Sequence, residues 1–156
     1  MSNRFTAMAR LKAAMYTTAQ TVFASSPEVG VMYGLPASQG SENDIVGIVA
    51  VRSDQEPATF GNNRSREETL EIDVYVGVWM GGRGSSEEQA AQEHAIDLLG
   101  ELEQHIRETD PTLAGVVRHC FLTRIELDGR TPAEVEHLGV LAELEATFTA
   151  QVRITT

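Results

Sequence analysis

The most regular pattern in this chain is an alternation of apolar and polar residues over positions 140–154, VLAELEATFTAQVRI. Successive side chains of a β-strand point to opposite faces of a sheet, so the alternation predicts a long strand with one covered and one open face. The apolar side chains that share the covered face are Val140, Ala142, Leu144, Ala146, Phe148, Ala150, Val152 and Ile154.

A second alternating segment over positions 70–80 predicts another strand of the same kind. Its covered face is apolar throughout, whereas the other face mixes Glu71, Asp73, Tyr75, Gly77 and Trp79. This pattern is typical of an antiparallel sheet with one face buried. Three more strands are predicted in VGVMYGLP before residue 36, in the β-branched run 45–51, and in residues 116–127.

Two amphipathic helices are predicted from apolar residues at three- and four-residue steps. The first covers positions 4–25 and ends because the residue before Pro27 disfavours helix. The second covers positions 86–108 and ends before Pro111. Its polar side is strongly acidic. The predicted buried stripes are Phe5, Met8, Leu11, Met15, Ala19 and Val22 in the first helix, and Ala91, Ala95, Leu98, Leu99, Leu102 and Ile106 in the second.

Residues 52–68, RSDQEPATFGNNRSREE, lack periodicity and contain Pro57 and Gly61, so they predict a long loop. Arg64 and Arg66 place positive charge at its end. Together these elements predict one domain over residues 1–156 of the α+β class. Its sheet is mostly antiparallel with long strands, packed by an N-terminal and a central helix.

Composition narrows the function classes. A formal net charge of −11 argues against an outer surface that wraps DNA, although it is compatible with a protein through which DNA passes without sticking. No apolar run approaches the length of a membrane span, and we expect no membrane association. The single cysteine, Cys120, excludes an internal disulfide framework and fits a reducing interior.

The segment MGGRGSS between a strand and a helix resembles the order found in nucleotide-binding folds, yet its details differ. The third glycine of a dinucleotide loop is absent, and Glu87 and Glu88 at the helix start repel phosphate. We therefore interpret the glycines as a turn in which Gly81, Gly82 and Gly84 have positive φ. A capping box is expected at the helix start, formed by Ser85 with Glu88 or by Ser86 with Gln89.

No pattern for catalysis or metal binding stands out. The four histidines show no HExxH spacing, and Cys120 lies inside a strand pattern that favours a buried small apolar role. We predict no catalytic residues, no cofactor and no metal. Tyr75 and Trp79 share the less apolar face of their strand, and the pattern leaves open whether they pack under a helix or line an interface.

The order of features resembles the tail terminator (tail completion) proteins of long-tailed siphophages. The resemblance lies in residues 60–154: GNNRSREE leading into TLEIDVYVGVWM, the GG-containing turn, DLLGELEQHIRETDPTLAG, and the terminal FTAQVRI. It implies a mixed α/β subunit of a hexameric ring that catalyses no reaction. The ring caps the tail tube, joins it to the head connector, and conducts DNA through its lumen.

The resemblance also implies partners and a location. These are other copies of the chain, the major tail tube protein, the connector or stopper protein, and DNA held without sequence specificity. The ring would lie in the tail–neck region of the virion after assembly in the host cytoplasm. The alternatives are a head–tail connector or stopper protein, or a small-ligand binding protein or enzyme with an unrecognised site.

Interface residues are expected in the 52–68 loop, which is placed to reach the tube or connector, on the mixed strand face, and in the glycine turn near a subunit boundary. The candidates are Arg52, Phe60, Arg64, Arg66, Tyr75, Trp79 and Arg83.

Overall fold

The structure, a computed structural model, describes residues 5–35, 44–58, 65–129, 131 and 138–155. The elements in these ranges confirm the α+β class, the mostly antiparallel sheet, and the N-terminal and central helices. They are α1 (Met8–Val22), β1 (Val29–Tyr33), β2 (Asp44–Pro57), β3 (Arg66–Met80), α2 (Ser85–Glu108), β4 (His119–Asp128) and β5 (Val140–Ile154).

The strands form one sheet in the order β1-β2-β3-β5-β4. Only the β1–β2 pair is parallel among these strands. The 15-residue strands β3 and β5 pair along their whole length, from Arg66 opposite Ile154 to Met80 opposite Val140. Both helices cover the same face of the sheet: α1 packs over β1 and β2, and α2 packs over β3, β5 and β4. The other face carries no helix among the described residues.

The core lies between this covered face and the helices. The even-numbered residues of β3 and β5 lie on the covered face, as the alternation predicted, and all are buried against the helices except the partly buried Arg66, Met80 and Val152. Phe148 is fully buried near the middle of β5, where it lies opposite Ile72 on β3 and Leu122 on β4. The apolar stripe of α2 is confirmed in full, whereas Phe5 precedes α1 and is largely exposed.

The predicted loop over residues 52–68 is wrong at both ends. β2 continues through Arg52 to Pro57 and β3 begins at Arg66, so the two strands form a long hairpin with Pro57 opposite Arg66. Residues 59–64 lie outside the described residues. A register shift between Ile48 and Val51 separates the buried first half of β2 from its exposed second half. The second half is polar because it extends beyond the helices. A polar strand without alternation has the sequence pattern of a loop.

The glycine turn is confirmed as a turn, but its details differ from the expectation. Gly82 and Gly84 have φ of 102° and 120°, whereas Gly81 is not in the positive-φ region. Gly84 is the N-cap residue of α2, and no side chain caps the helix. The expected capping box is therefore wrong: the Ser86 hydroxyl donates to the Glu87 carboxylate at 3.0 Å instead.

A strained turn connects α2 to β4. Leu113 and Ala114 have φ of 47° and 57°, a left-handed conformation that costs non-glycine residues about 1–2 kcal/mol each. Leu113 is fully buried in the core, which offsets its cost. Ala114 is exposed and gains only a hydrogen bond from its own N–H to the Asp110 carboxylate at 2.8 Å. The strain at Ala114 thus has no packing compensation.

Replacing Ala114 with glycine should raise the free energy of unfolding by about 0.5–1 kcal/mol. The relief of left-handed strain exceeds the extra entropy that glycine gives the unfolded chain. Urea denaturation followed by circular dichroism measures the change. The matched control is Ala13→Gly in the exposed middle of α1, which should lower stability by about 1 kcal/mol. If Ala114→Gly lowered the free energy of unfolding as much as Ala13→Gly does, the backbone at Ala114 would not be strained.

Cys120 lies on the covered face of β4 opposite Ala150, and burial raises the pKa of its thiol to about 12. Because the thiolate is the reactive form, we expect no reaction with a thiol-specific disulfide reagent at neutral pH in the folded protein. Denaturant should release one reactive thiol per chain. The Ile96→Cys variant supplies the positive control, since Ile96 is exposed on α2. Rapid labelling of native Cys120 would show that β4 opens readily.

Candidate functional site

The most distinctive surface of the chain is the sheet face that the helices leave uncovered, here called the open face. It is formed by the odd-numbered residues of β3 and β5 and by their neighbours on β2 and β4. The mixed composition noted in the sequence is therefore the composition of this face. Its charged members include Arg52, Asp54, Glu56, Glu67, Glu71, Asp73, Arg118, Arg124, Glu126, Asp128, Glu143, Glu145 and Arg153.

Arg52 is the centre of the first charge cluster on the open face. Its guanidinium donates to both oxygens of Asp73 at 2.7 and 2.9 Å and to Glu71 at 3.1 Å. Thr147 adds a hydrogen bond to Asp73 at 2.9 Å. The Arg52 contact holds the pKa of the Asp73 carboxyl below its ordinary value, in spite of partial burial. Arg52 is thus bound to two carboxylates of its own subunit and stiffens the β2–β3 pair.

Glu67 forms a second cluster near the other end of the face. Its carboxylate accepts from Arg153 at 2.8 Å and from Arg118 at 3.4 Å. Arg118 directly precedes β4 and Arg153 lies on β5, so the cluster links three strands of the sheet. Arg52, Arg118 and Arg153 are thus each paired with a carboxylate of the same chain.

The third region is acidic. Glu126 lies directly opposite Glu145, and Asp128 directly opposite Glu143, so two pairs of like charge face each other across β4 and β5. Such pairs destabilise a sheet modestly. These residues line a cleft of about 620 Å³ together with Tyr75 and Leu35. The acidic end gives the open face its surplus of negative charge.

Tyr75 and Trp79 lie on the open face and not under a helix. The Tyr75 hydroxyl donates to Glu143 at 3.1 Å, and burial together with the neighbouring carboxylates raises its pKa. Its ring lies over Gly77, where a Cβ would come within 2.8 Å of the hydroxyl oxygen. Trp79 is half-buried because the chain before β5 passes close to it: a Cβ at Gly139 would lie 3.1 Å from its ring.

The structure does not bring all the predicted interface residues together. Arg52 and Tyr75 are both on the open face, with Trp79 at its end. Arg66 begins β3 on the covered side of the sheet, in the row of Ile154 and Pro57. Arg83 lies in the glycine turn, and Phe60 and Arg64 lie outside the described residues. Their roles as interface residues stay predictions.

Sequence reasoning missed a buried carboxylate at the start of α1. The Glu68 side chain accepts hydrogen bonds from the Thr6 hydroxyl (2.5 Å), the Ala7 backbone N–H (2.7 Å), the Ser53 hydroxyl (2.6 Å) and the Gln55 amide (2.8 Å). The residue is 1% exposed. Burial opposes its ionisation, but these four donors outweigh it and lower the pKa of Glu68. The site joins the N-terminal segment to the β2–β3 hairpin.

No helix in the described ranges is long and apolar enough to cross a membrane. The same ranges hold no group of three or more His, Cys, Asp or Glu side chains placed to bind a metal ion.

Comparison with known proteins gives likeness in structure and none in sequence. No protein-family model matches the chain, and no curated protein matches it. Among solved structures, the chain is similar to a component of the "Virion of native gene transfer agent (GTA) particle". The TM-score is 0.48 at 12% identity, over 94% of this chain and 97% of the other. A likeness at this level does not establish a shared function.

Proposed function

We propose that this single-domain chain is a structural virion protein without enzymatic activity, acting as a tail terminator subunit. Six copies form a ring in the tail–neck region. The ring caps the finished tail tube, binds the head connector or stopper protein, and lets DNA pass through its lumen. Assembly takes place in the host cytoplasm. The resemblance over residues 60–154 and the open face of the sheet support this function.

The observation that carries this proposal is the large polar face that the chain's own helices leave uncovered. β3 and β5 each have 15 residues and are about 50 Å long. An antiparallel sheet with one wet face needs no further partner to fold. A face of this length, crossed by ion pairs between strands, suits a rigid wall better than an enclosed binding pocket.

The charges of the open face support a wall along which DNA moves without binding. Non-specific affinity for DNA comes from lysine and arginine side chains that displace counterions from phosphates. Here Arg52, Arg118 and Arg153 are already bound to carboxylates of the same chain. Glu143 and Glu145 add negative charge, so the face as a whole repels a phosphate backbone.

The mass of the protein in solution and its effect on tube growth test the proposal. Light scattering after size exclusion should give six times the chain mass, or a monomer that becomes a ring on tubes. Electron microscopy should show rings with an open centre. Added to the polymerising tube protein from the same genome, the chain should bind tube ends and stop elongation. An unrelated acidic protein of similar size serves as the control.

A stable monomer or dimer that leaves tube growth unchanged would contradict the proposal. Binding of a small metabolite by that species would instead favour a ligand-binding protein.

A further inference from the structure

Two rows of apolar side chains cross the entire sheet, and they reach both of its edges. One row runs Tyr33–Ile48–Val74–Ala146–Ile125 and the next runs Val31–Val46–Val76–Leu144–Leu127. Both lie on the covered face. The inner three residues of each row are buried by the helices. The end residues Tyr33 and Ile125 are 54% and 53% exposed, so the first row ends in a half-exposed apolar side chain at each edge of the sheet.

The strands that carry these ends are the free edges of the sheet. β1 and β4 are outermost, and within the described residues no strand pairs with their outer sides. An edge strand presents unpaired N–H and C=O groups, which makes it a template for pairing with another chain. Charges and prolines normally block such edges. β4 carries the charges of Arg124, Glu126 and Asp128 on the open face, whereas Ile125 stands exposed on the covered face.

We propose that the outer edge of β4 pairs with the outer edge of β1 of a second copy of this chain. This contact rests on the proposed ring and gives it a specific subunit interface. With the two copies at the same level of the sheet, Tyr33 lies opposite Ile125 and Val31 opposite Leu127. On the open face, Met32 lies opposite Glu126 and Gly30 opposite Asp128. The apolar rows continue from one subunit into the next.

Strand direction supports this pairing. β1 is parallel to β2, whereas β4 is antiparallel to β5, which is antiparallel to β3. Since β2 is antiparallel to β3, β1 and β4 run in opposite directions. Copies related by rotation about an axis along the strands therefore meet as an antiparallel pair. Such a head-to-tail contact leaves one free edge at each end, and it repeats until the ring closes.

Charge distinguishes this contact from a symmetric one. The β1 residues that reach the open face at this contact, Met32 and Gly30, are uncharged, and Lys12 lies on the covered side, 4.4 Å above the ring of Tyr33. The β4 edge brings Glu126 and Asp128, in rows that already hold Glu145 and Glu143. Arg124 is the basic residue beside them, and it is paired with Glu126 at 3.1 Å. Pairing β4 with β4 would bring a second set of the same carboxylates to the contact, whereas pairing β4 with β1 places Glu126 and Asp128 beside the uncharged Met32 and Gly30.

Disulfide trapping tests the contact and its register. Directly opposite residues of an antiparallel pair have Cβ atoms about 4.5–5.5 Å apart, within reach of a disulfide after small adjustment. The double variant Tyr33→Cys/Ile125→Cys should form a ladder of covalent multimers under mild oxidation, ending at the ring size. Both positions are exposed, so folding should be unaffected. Buried Cys120 does not compete.

Three controls fix the interpretation. Tyr33→Cys alone and Ile125→Cys alone should stay monomeric on a denaturing gel. Tyr33→Cys/Ile96→Cys is the matched control, because Ile96 is 49% exposed but lies on α2. It should give no ladder. A covalent dimer from Ile125→Cys alone would show two-fold pairing of β4 with itself and would overturn the proposal.

Charged variants give a second readout. Tyr33→Glu and Ile125→Glu should each abolish rings in light scattering, whereas Ile96→Glu should keep them. An equimolar mixture of Tyr33→Glu and Ile125→Glu should form a heterodimer, because each variant retains the edge that the other lacks. If the Tyr33→Glu variant and the Ile125→Glu variant each still form rings, the edge contact is overturned.

The two proposals fail in different ways. If wild-type rings cap tubes but the Tyr33→Cys/Ile125→Cys variant gives no covalent ladder, the edge contact is overturned and the tail terminator function stands. If the double variant gives a ladder but the wild-type chain never affects tube growth, the edge contact stands and the tail terminator function is overturned. A chain that stays monomeric at every concentration and on tubes, with no ladder, overturns both.

Discussion

Replacing Phe148 with alanine should lower the free energy of unfolding by about 4 kcal/mol, more than any other single core truncation. Phe→Ala changes in protein cores cost about 3–5 kcal/mol, since the lost burial is joined by the cost of the cavity. Phe148 is completely buried, heads the fully buried side chains by volume, and lies in the row between Ile72 and Leu122. Equilibrium unfolding in urea measures the change through the transition midpoint.

Phe121 provides the matched control on the neighbouring strand. It lies on the open face opposite Thr149, is half exposed, and stacks on His119 with ring centroids 5.4 Å apart. Phe121→Ala should therefore cost less than about 1 kcal/mol. If the two variants lost similar stability, the assignment of the covered and open faces would be wrong.

Replacing Glu68 with alanine should lower the free energy of unfolding by about 3 kcal/mol. Four donors would lose their charged acceptor, and the buried groups among them would be left without a partner. The Ala7 N–H matters most, because it lies at the first turn of α1 and water does not replace the carboxylate there. We also expect faster hydrogen exchange at the start of α1.

Glu67 is the matched control one residue away. It has the same chemistry but lies on the open face, partly exposed, with Arg118 and Arg153 as partners. Exposed ion pairs contribute little to stability, so Glu67→Ala should have a small effect. If the two variants lost similar stability, the buried hydrogen bonds of Glu68 would stabilise the fold no more than the exposed ion pairs of Glu67.

The same carboxylate predicts a pH dependence with a definite sign. Folding lowers the pKa of Glu68. Its contribution to the free energy of unfolding is therefore complete above the ordinary glutamate pKa of about 4.3, and it is lost as pH falls through the pKa of the folded state. Urea midpoints between about pH 3 and pH 7 should fall on acidification in the wild type. Glu68→Gln should show a weaker fall. An unchanged slope would assign the acid sensitivity to other carboxylates.

The long elements were predictable because their patterns extend over many residues. β5 and α2 were expected to within one residue, since a strand of 15 alternating positions or a helix of 24 residues leaves no competing interpretation. Hairpin β2–β3 was predicted only in part. Arg52 and Gln55 are polar because the distal half of β2 leaves the core, and a polar strand without alternation resembles a loop.

The candidate surface was predictable only as composition. The sequence shows that Tyr75 and Trp79 share a face with Glu71 and Asp73, but not which strand lies beside them. That Arg52 binds Asp73 depends on the β2–β3 register, and that Glu126 faces Glu145 depends on β4 lying next to β5. The Glu68 site joins residues 61 positions apart and has no motif.

The sequence by itself determined the class of the fold, the two helices, the covered faces of the long strands, and the acidic character of the surface. These follow from local periodicity and charge, which act over neighbouring residues. Only the tertiary structure decided the order of the strands, the buried position of Glu68, and the end-to-end rows from Tyr33 to Ile125. Each depends on contacts between segments distant in the chain, whose register is set by burial of the shared core and not by any single segment.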